Sequence, residues 1–364
     1  MRHLMEGEAL NLIMVWTTAA ATVCYCRAIG NFIPKGGSSR FAAIFPAIVI
    51  LLLLPLRLTS VHLGGPTAFI LSWLTTFKLL LFSFGKGPLH HLLPLRQFVP
   101  LSLLPIKLQN YPPEIQRPSL NYAFPTAIVA LATLIPLYTA KQSLHPKFVL
   151  FLYSLHMYIG LEFIFFVFSF FTRKLLGVQL EPQFDQPYLS TSLQDFWGRR
   201  WNIVVHKVLQ PTVYQPVATA STRLLGRRWA PIPAILATFV VSAAMHELVF
   251  YYIKRERRGA WEPWEPSWDA ICFFMLHGTC LAIEVAVKKW LRARGSKWRL
   301  PGVVSWILTV AFVYETALRL FFPALARCRV YEKATRELNA VMEFGKEVYG
   351  VLRFACFHVT RNVE

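Results

Sequence analysis

Apolar residues fill this chain in long uninterrupted blocks, with the polar positions collected between them. A helix crosses a ~30 Å hydrocarbon core with roughly 20 apolar residues. Eight stretches qualify, at about 9–26, 40–56, 66–84, 122–139, 148–171, 231–253, 268–287 and 302–322. The first follows "MRHLMEGE", which lacks a basic flank, so it reads as a retained helix and not as a cleaved leader.

Two connections are too long for turns, residues 85–121, rich in Pro and Leu, and residues 172–230. The second is half apolar and is expected to lie in the membrane interface or to dip into the membrane. Within it, apolar positions at 193, 196/197, 201 and 204/205 predict one amphipathic helix over 192–209. Arg199, Arg200 and Lys207 would fall away from its Trp face or at the edge. Residues 326–356 carry apolar positions at 334, 338, 341/342, 348 and 352, which predicts a C-terminal amphipathic helix lying on the membrane.

Composition agrees with the pattern. Of the 364 residues 55% are hydrophobic and 16% charged, far from the balance of a soluble domain. The expectation is an all-α polytopic membrane protein with about eight transmembrane helices plus re-entrant or interfacial helices. Thirty-eight Lys and Arg against 19 Asp and Glu give +19. This excess suits an anionic membrane face or a phosphate-bearing substrate. A nucleic-acid partner is not expected, because the aromatics sit in the spans and not on a basic soluble module. Loops after spans 1, 3, 5 and 7 hold 21 basic residues and the other side 15, which assigns the former to the cytosol. Cysteines at 24, 26, 272, 280, 328 and 356 have no metal-site or CxxC spacing and read as small apolar packing groups.

Ionisable groups inside spans are costly unless paired or set in a polar cavity. They are Lys78, His156, Glu162, His246, Glu247, His277, Glu284, Glu315 and Arg319. Glu315 and Arg319, four apart, predict a salt bridge. Lys78 is expected to snorkel, and His156 with Glu162 to form a polar contact between helices. His277 and Glu284, two turns apart on one face, suit either a neighbouring helix or a substrate cavity. His246 follows Ser242, Ala243 and Ala244, which leave room beside it. Glu247 points about 100° away and is a poor partner for that imidazole. From this segment alone, packing and catalysis both remain open.

No GxSxG, P-loop, HExxH or Cys/His metal set is present, so metal and nucleotide chemistry recede. A neutral imidazole remains as a general base near neutral pH. A transporter would also bury polar groups, but it predicts internal repeats, and none is visible.

Four stretches resemble the membrane-bound O-acyltransferase superfamily, and within it the plant wax ester synthase branch. They are "PQFDQPYLSTSLQDFWGRRWNIVVHKVLQPTVYQPV" at 182–217, "SAAMHELVFYY" at 242–252, "FFMLHGTCLAIEVAVKK" at 273–289 and "YETALRLFFP" at 314–323. The resemblance implies one integral-membrane domain over 1–364, with a catalytic part at about 145–325 and a tail at about 326–364. It implies acyl transfer from a fatty acyl-CoA co-substrate to a long-chain alcohol, giving a wax ester, without metal or other cofactor, in the endoplasmic reticulum membrane. A sterol or diacylglycerol acceptor is the alternative. The family's intramembrane His and its partner Asn fall on His246 and Asn202. Trp197, Trp201, Arg199, Arg200, His277 and Glu284 are the expected substrate contacts. Arg227, Arg228 and the basic run at 288–299 are further candidates for the phosphates of CoA.

Overall fold

The computed structural model describes residues 2–105, 144–176, 183–255, 263–296 and 300–337, with isolated positions at 339–340, 343 and 346. Among these the chain is helical and has no strand. Seven helices are long and apolar enough to span a membrane: Gly7–Phe32, Ser38–Arg57, Val61–Ser83, Phe148–Lys174, Pro231–Lys254, Trp268–Ala293 and Gly302–Arg327. Each corresponds to one expected span. The eighth, at 122–139, lies outside the described residues.

The N-terminal half packs α1 (Arg2–Phe32), α2 (Ser38–Leu53), α3 (Val61–Ala68), α4 (Thr76–Ser83) and α5 (Leu95–Leu103) around Val15, Ile44, Leu71, Phe82 and Phe98. Lys78 does not snorkel. Its ammonium is buried and donates to the carbonyls of Leu101 and Leu104, both at 2.7 Å, at the end of α5. Those carbonyls have no partner within their own helix, so a buried cation there satisfies both sides. The span 148–171 belongs to α6 (Pro146–Leu176). On it Glu162 accepts from Tyr158, one turn earlier on the same helix, where a contact between helices was expected.

The C-terminal half carries α7 (Ile203–Leu209), α8 (Gln215–Trp229), α9 (Pro231–Lys254), α10 (Trp268–Ala293), α11 (Gly302–Thr316) and α12 (Phe322–Arg327). α9 and α10 are antiparallel neighbours, and Gly278 of α10 lies tightly against Phe239 of α9. A Cβ placed there would lie 2.8 Å from Cβ of Phe239. The expected Glu315–Arg319 ion pair is present.

The expected single helix over 192–209 is broken. A short turn, Leu193–Asp195, passes into a π-helical turn, Phe196–Arg200, and Trp201 is extended. Asn202 then adopts a left-handed φ of 42° before α7 begins. Asn tolerates this backbone because its short polar side chain bonds locally; here Oδ1 accepts from the Val205 amide at 3.4 Å and caps α7. The amphipathic spacing was real, but a local period cannot register a chain reversal.

The C-terminal segment docks on protein where it is described. In the helical residues 330–337, Lys333 donates to the carbonyls of Ile253, Lys254 and Arg255 at 2.7, 3.0 and 3.0 Å, closing the end of α9. Glu337 accepts from the Val61 and His62 amides at 2.7 and 3.1 Å and from the Ser60 hydroxyl at 2.8 Å, at the start of α3. Most of the remaining tail expected through 356 lies outside the described residues.

Candidate active site

Residues 183–203 form a loop closed at its base by two backbone hydrogen bonds, Asp185 N to Arg200 O at 2.9 Å and Ile203 N to Gln183 O at 2.8 Å. Its interior is aromatic: Trp201 stacks on Phe196 with centroids 5.4 Å apart and meets Phe184 at 5.1 Å. Asp195, buried, ties the turn together by accepting from Arg200 Nε at 2.8 Å and pairing with Arg199 at 3.1 Å. Arg200 also donates to the carbonyls of Asp185 and Gln186. Asp195 was not singled out from the sequence. The signal available was an acid four and five residues before two arginines.

α10 holds this loop through the two residues whose spacing put them on one face. The Glu284 carboxylate accepts from the Leu193 amide at 2.8 Å and pairs with Lys288 at 2.6 Å. His277, fully buried, accepts at Nδ1 from the Trp197 indole N–H at 3.1 Å. An indole nitrogen only donates, so the His277 proton sits on Nε2 and is given to Thr316 Oγ1 at 2.8 Å. Thr316 passes its own proton to the Phe312 carbonyl at 2.7 Å. Both ring nitrogens of His277 are therefore taken by protein, and the ring is neutral. Trp197, so held, packs on Phe239 of α9 and Phe273 and Phe274 of α10, at mid-span positions. The loop thus re-enters between the spanning helices.

His246 stands on α9 one aromatic ring away. Its ring lies 4.4 Å from Phe274, 5.2 Å from Trp73, 5.7 Å from Phe321 and 6.2 Å from Phe250. Nδ1 is 2.8 Å from the Ser242 carbonyl, one turn earlier. A carbonyl only accepts, so Nδ1 carries the proton and Nε2 keeps its lone pair. Glu247 turns elsewhere and accepts from the Ser267 amide at 2.8 Å, as its position on the helix predicted.

π-helical turns supply three walls of this region: Phe69–Thr75 bears Trp73, Phe196–Arg200 bears Trp197 and Ala317–Phe321 bears Phe321. A π turn inserts one residue into a helix and re-aims the side chains after it, and such turns gather at functional sites. Trp73 and Phe321 carried no sequence signal apart from being aromatic in a span.

Asn202 and His246 share no hydrogen bond among the described residues. They are linked through packing: Val204 and Val205, just after Asn202, lie with Trp73 and Met245 in one cluster, and Trp73 borders the imidazole. With Oδ1 of Asn202 taken by the Val205 amide, its NH₂ has no protein acceptor among the described residues.

Comparison with known proteins adds the following. Residues 180–276 match the sequence model described as "Membrane bound O-acyl transferase family". Long-chain-alcohol O-fatty-acyltransferase of Simmondsia chinensis is 41% identical over 360 residues, covering 96% of this chain and 99% of its own length. Acyl-CoA–sterol O-acyltransferase 1 of Arabidopsis thaliana is 40% identical over 349 residues, covering 93% and 97%. Probable long-chain-alcohol O-fatty-acyltransferase 3 of Arabidopsis thaliana is 39% identical over 350 residues, covering 96% and 99%.

Proposed function

The chain belongs to the membrane bound O-acyl transferase family and is an acyl-CoA-dependent O-acyltransferase, and on that premise we propose that it esterifies long-chain fatty alcohols with His246 as the general base. The observation that carries this reading is the bond from Nδ1 of His246 to the Ser242 carbonyl at 2.8 Å, which leaves the Nε2 lone pair without a protein donor among the described residues, within an aromatic cage.

A thioester is already activated, so the enzyme must mainly align two apolar chains and move one proton. Nε2 of His246 takes the alcohol proton as the alcohol oxygen attacks the thioester carbonyl carbon. The tetrahedral adduct collapses, the C–S bond breaks, and the imidazolium returns the proton to the CoA thiolate. General-base assistance of this kind contributes about 10²–10⁴ in rate. The NH₂ of Asn202 is suited to donate to the oxyanion, which is worth on the order of 3 kcal/mol.

Trp197 and Trp201 serve as loop walls against the substrate chains, while His277 and Glu284 act through the loop by holding it. Of the two loop arginines expected at the CoA phosphates alongside Arg227, Arg228 and the run at 288–299, Arg200 is committed to Asp195 and two carbonyls, and Arg199 keeps a side chain that is 77% exposed. Arg199 is the phosphate partner retained here. The same proposal sets the enzyme in the endoplasmic reticulum membrane.

A sterol acceptor is the second reading, favoured by one observation: the sterol-named relative is as similar as the alcohol-named one, 40% against 41%. The test gives membranes containing wild type or His246→Ala labelled palmitoyl-CoA with hexadecanol, a sterol or diacylglycerol, at matched expression. Wild type is expected to esterify hexadecanol and the variant to lose at least about 10²-fold. Sterol ester in place of wax ester overturns the acceptor, and an active variant overturns the base.

A further inference from the structure

Two basic clusters separated in sequence meet on one surface. The start of α9 and the end of α10 are adjacent, and Lys289 at that end of α10 donates to the Arg228 carbonyl at 3.2 Å, just before α9. Arg227, Arg228 and Arg292 are exposed around this contact. Arg228 lies over the Trp229 ring at 5.2 Å and Arg294 over the Trp290 ring at 3.9 Å. None of these four arginines, nor Lys289, pairs with a carboxylate among the described residues. Glu284, the one acid between residues 270 and 300, is already taken by Lys288 and the Leu193 amide.

On the same end of the molecule as the bases, between α9 and α10, runs an open apolar crevice. It is lined by Ile232, Leu236, Thr279, Ala282, Ile283 and Ala286. Leu224, 87% exposed, together with Leu225, Trp229 and Trp290, marks this end as an interfacial belt. The crevice does not continue to His246, because α9 and α10 close on each other at Phe239 and Gly278. A chain seated here is therefore held away from the reacting groups.

We propose that this site holds an anionic glycerophospholipid, with its phosphate among Arg228, Lys289 and Arg292 and one acyl chain in the crevice. Unpaired bases above an apolar groove at the cytosolic end of two helices match that chemistry on both counts. An acyl-CoA offers the same phosphate and chain, but here its thioester would sit behind the Phe239–Gly278 closure. The bound lipid fastens α9, which bears His246, to α10, which bears Phe274. The site is separate from the transfer reaction proposed above.

The test reconstitutes the full chain in vesicles of phosphatidylcholine alone or with phosphatidylglycerol. Phosphatidylglycerol retention is read by native mass spectrometry and the melting midpoint by thermal unfolding. Wild type is expected to retain phosphatidylglycerol over phosphatidylcholine and to melt higher with it. Arg228→Gln with Lys289→Gln is expected to weaken retention about thirtyfold, roughly fivefold for each base removed. If that pair fails to fold, Ala286→Phe fills the crevice and leaves the bases, and it too should lose retention. Equal retention of both lipids by wild type overturns the proposal. So does displacement of phosphatidylglycerol by palmitoyl-CoA with a raised KM for acyl-CoA in the double variant, which would give the site to the co-substrate.

Discussion

Replacing Gly278 with Ala sets two effects of similar size against each other. In a helix interior, Gly to Ala is worth about 1 kcal/mol in favour of folding through backbone entropy. At Gly278, however, the new Cβ would meet Cβ, Cγ and Cδ2 of Phe239 at 2.8, 2.9 and 3.3 Å, where ordinary contact begins at 3.4 Å. The nearest of these atoms is fixed to the α9 backbone, so a rotamer change cannot relieve it, and the helices must part. Overpacking of this kind costs about 1–3 kcal/mol, and parting α9 from α10 also loosens Phe239 from Trp197. Because the contact falls well under 3.0 Å the clash wins, with a net loss of up to about 2 kcal/mol. Gly160→Ala is the internal control, because nothing lies within 4 Å of its added Cβ and only the propensity gain remains. The assay is thermal unfolding in detergent beside the initial rate of ester formation. The expected order of melting is Gly160→Ala above wild type and Gly278→Ala below it, with a reduced rate for the latter. Gly278→Ala melting at or above wild type would refute the close approach of α9 and α10.

Two further outcomes concern the C-terminal segment. Lys333→Met leaves three carbonyls at the end of α9 without their buried cation, a loss of about 3 kcal/mol that should lower the melting midpoint; an unchanged midpoint would remove the clamp. Burial raises the Glu337 carboxyl, but hydrogen bonds from His62, Val61 and Ser60 outweigh it and hold it below its ordinary value of 4.5. Its contribution is therefore complete above that value and is lost as pH falls through the lower folded one. Wild type should lose stability on acidification below about 4.5, whereas Glu337→Gln should start lower and show less of that slope, read as melting midpoint against pH.

The seven spans within the described residues were legible because a hydrocarbon core demands length and apolarity of each segment separately, with no reference to its neighbours. The Glu315–Arg319 pair was legible for the same reason, since both partners sit on one helix. The setting of His246 was half legible: Ser242 and the two alanines were in view, but the bond to the Ser242 carbonyl comes from backbone geometry. The spacing of His277 and Glu284 gave their common face, and what they grip came only with the fold. Lys78 could not be read, because its acceptors are carbonyls of another helix and carbonyls leave no trace in a sequence. Trp73 and Phe321 were hidden likewise, since a π turn is a matter of register and not of composition.

The clamp at Lys333 and Glu337 also orders events in time. On a lone helix these residues, four apart, would neutralise each other. Here each reaches to a different helix end made much earlier: Arg255 precedes Lys333 by 78 residues, and Ser60 precedes Glu337 by 277. At about 5–20 residues per second, the end of α9 waits roughly 4–16 s, and the start of α3 roughly 14–55 s, for its partner to be synthesised. Through that interval the helix bearing His246 exists with its terminal carbonyls unclosed. A chain interrupted before residue 333 therefore carries every span seen here but only part of what fastens α9 to the N-terminal helices, the bonds from Tyr252 to Leu52 and from Arg255 to Leu56.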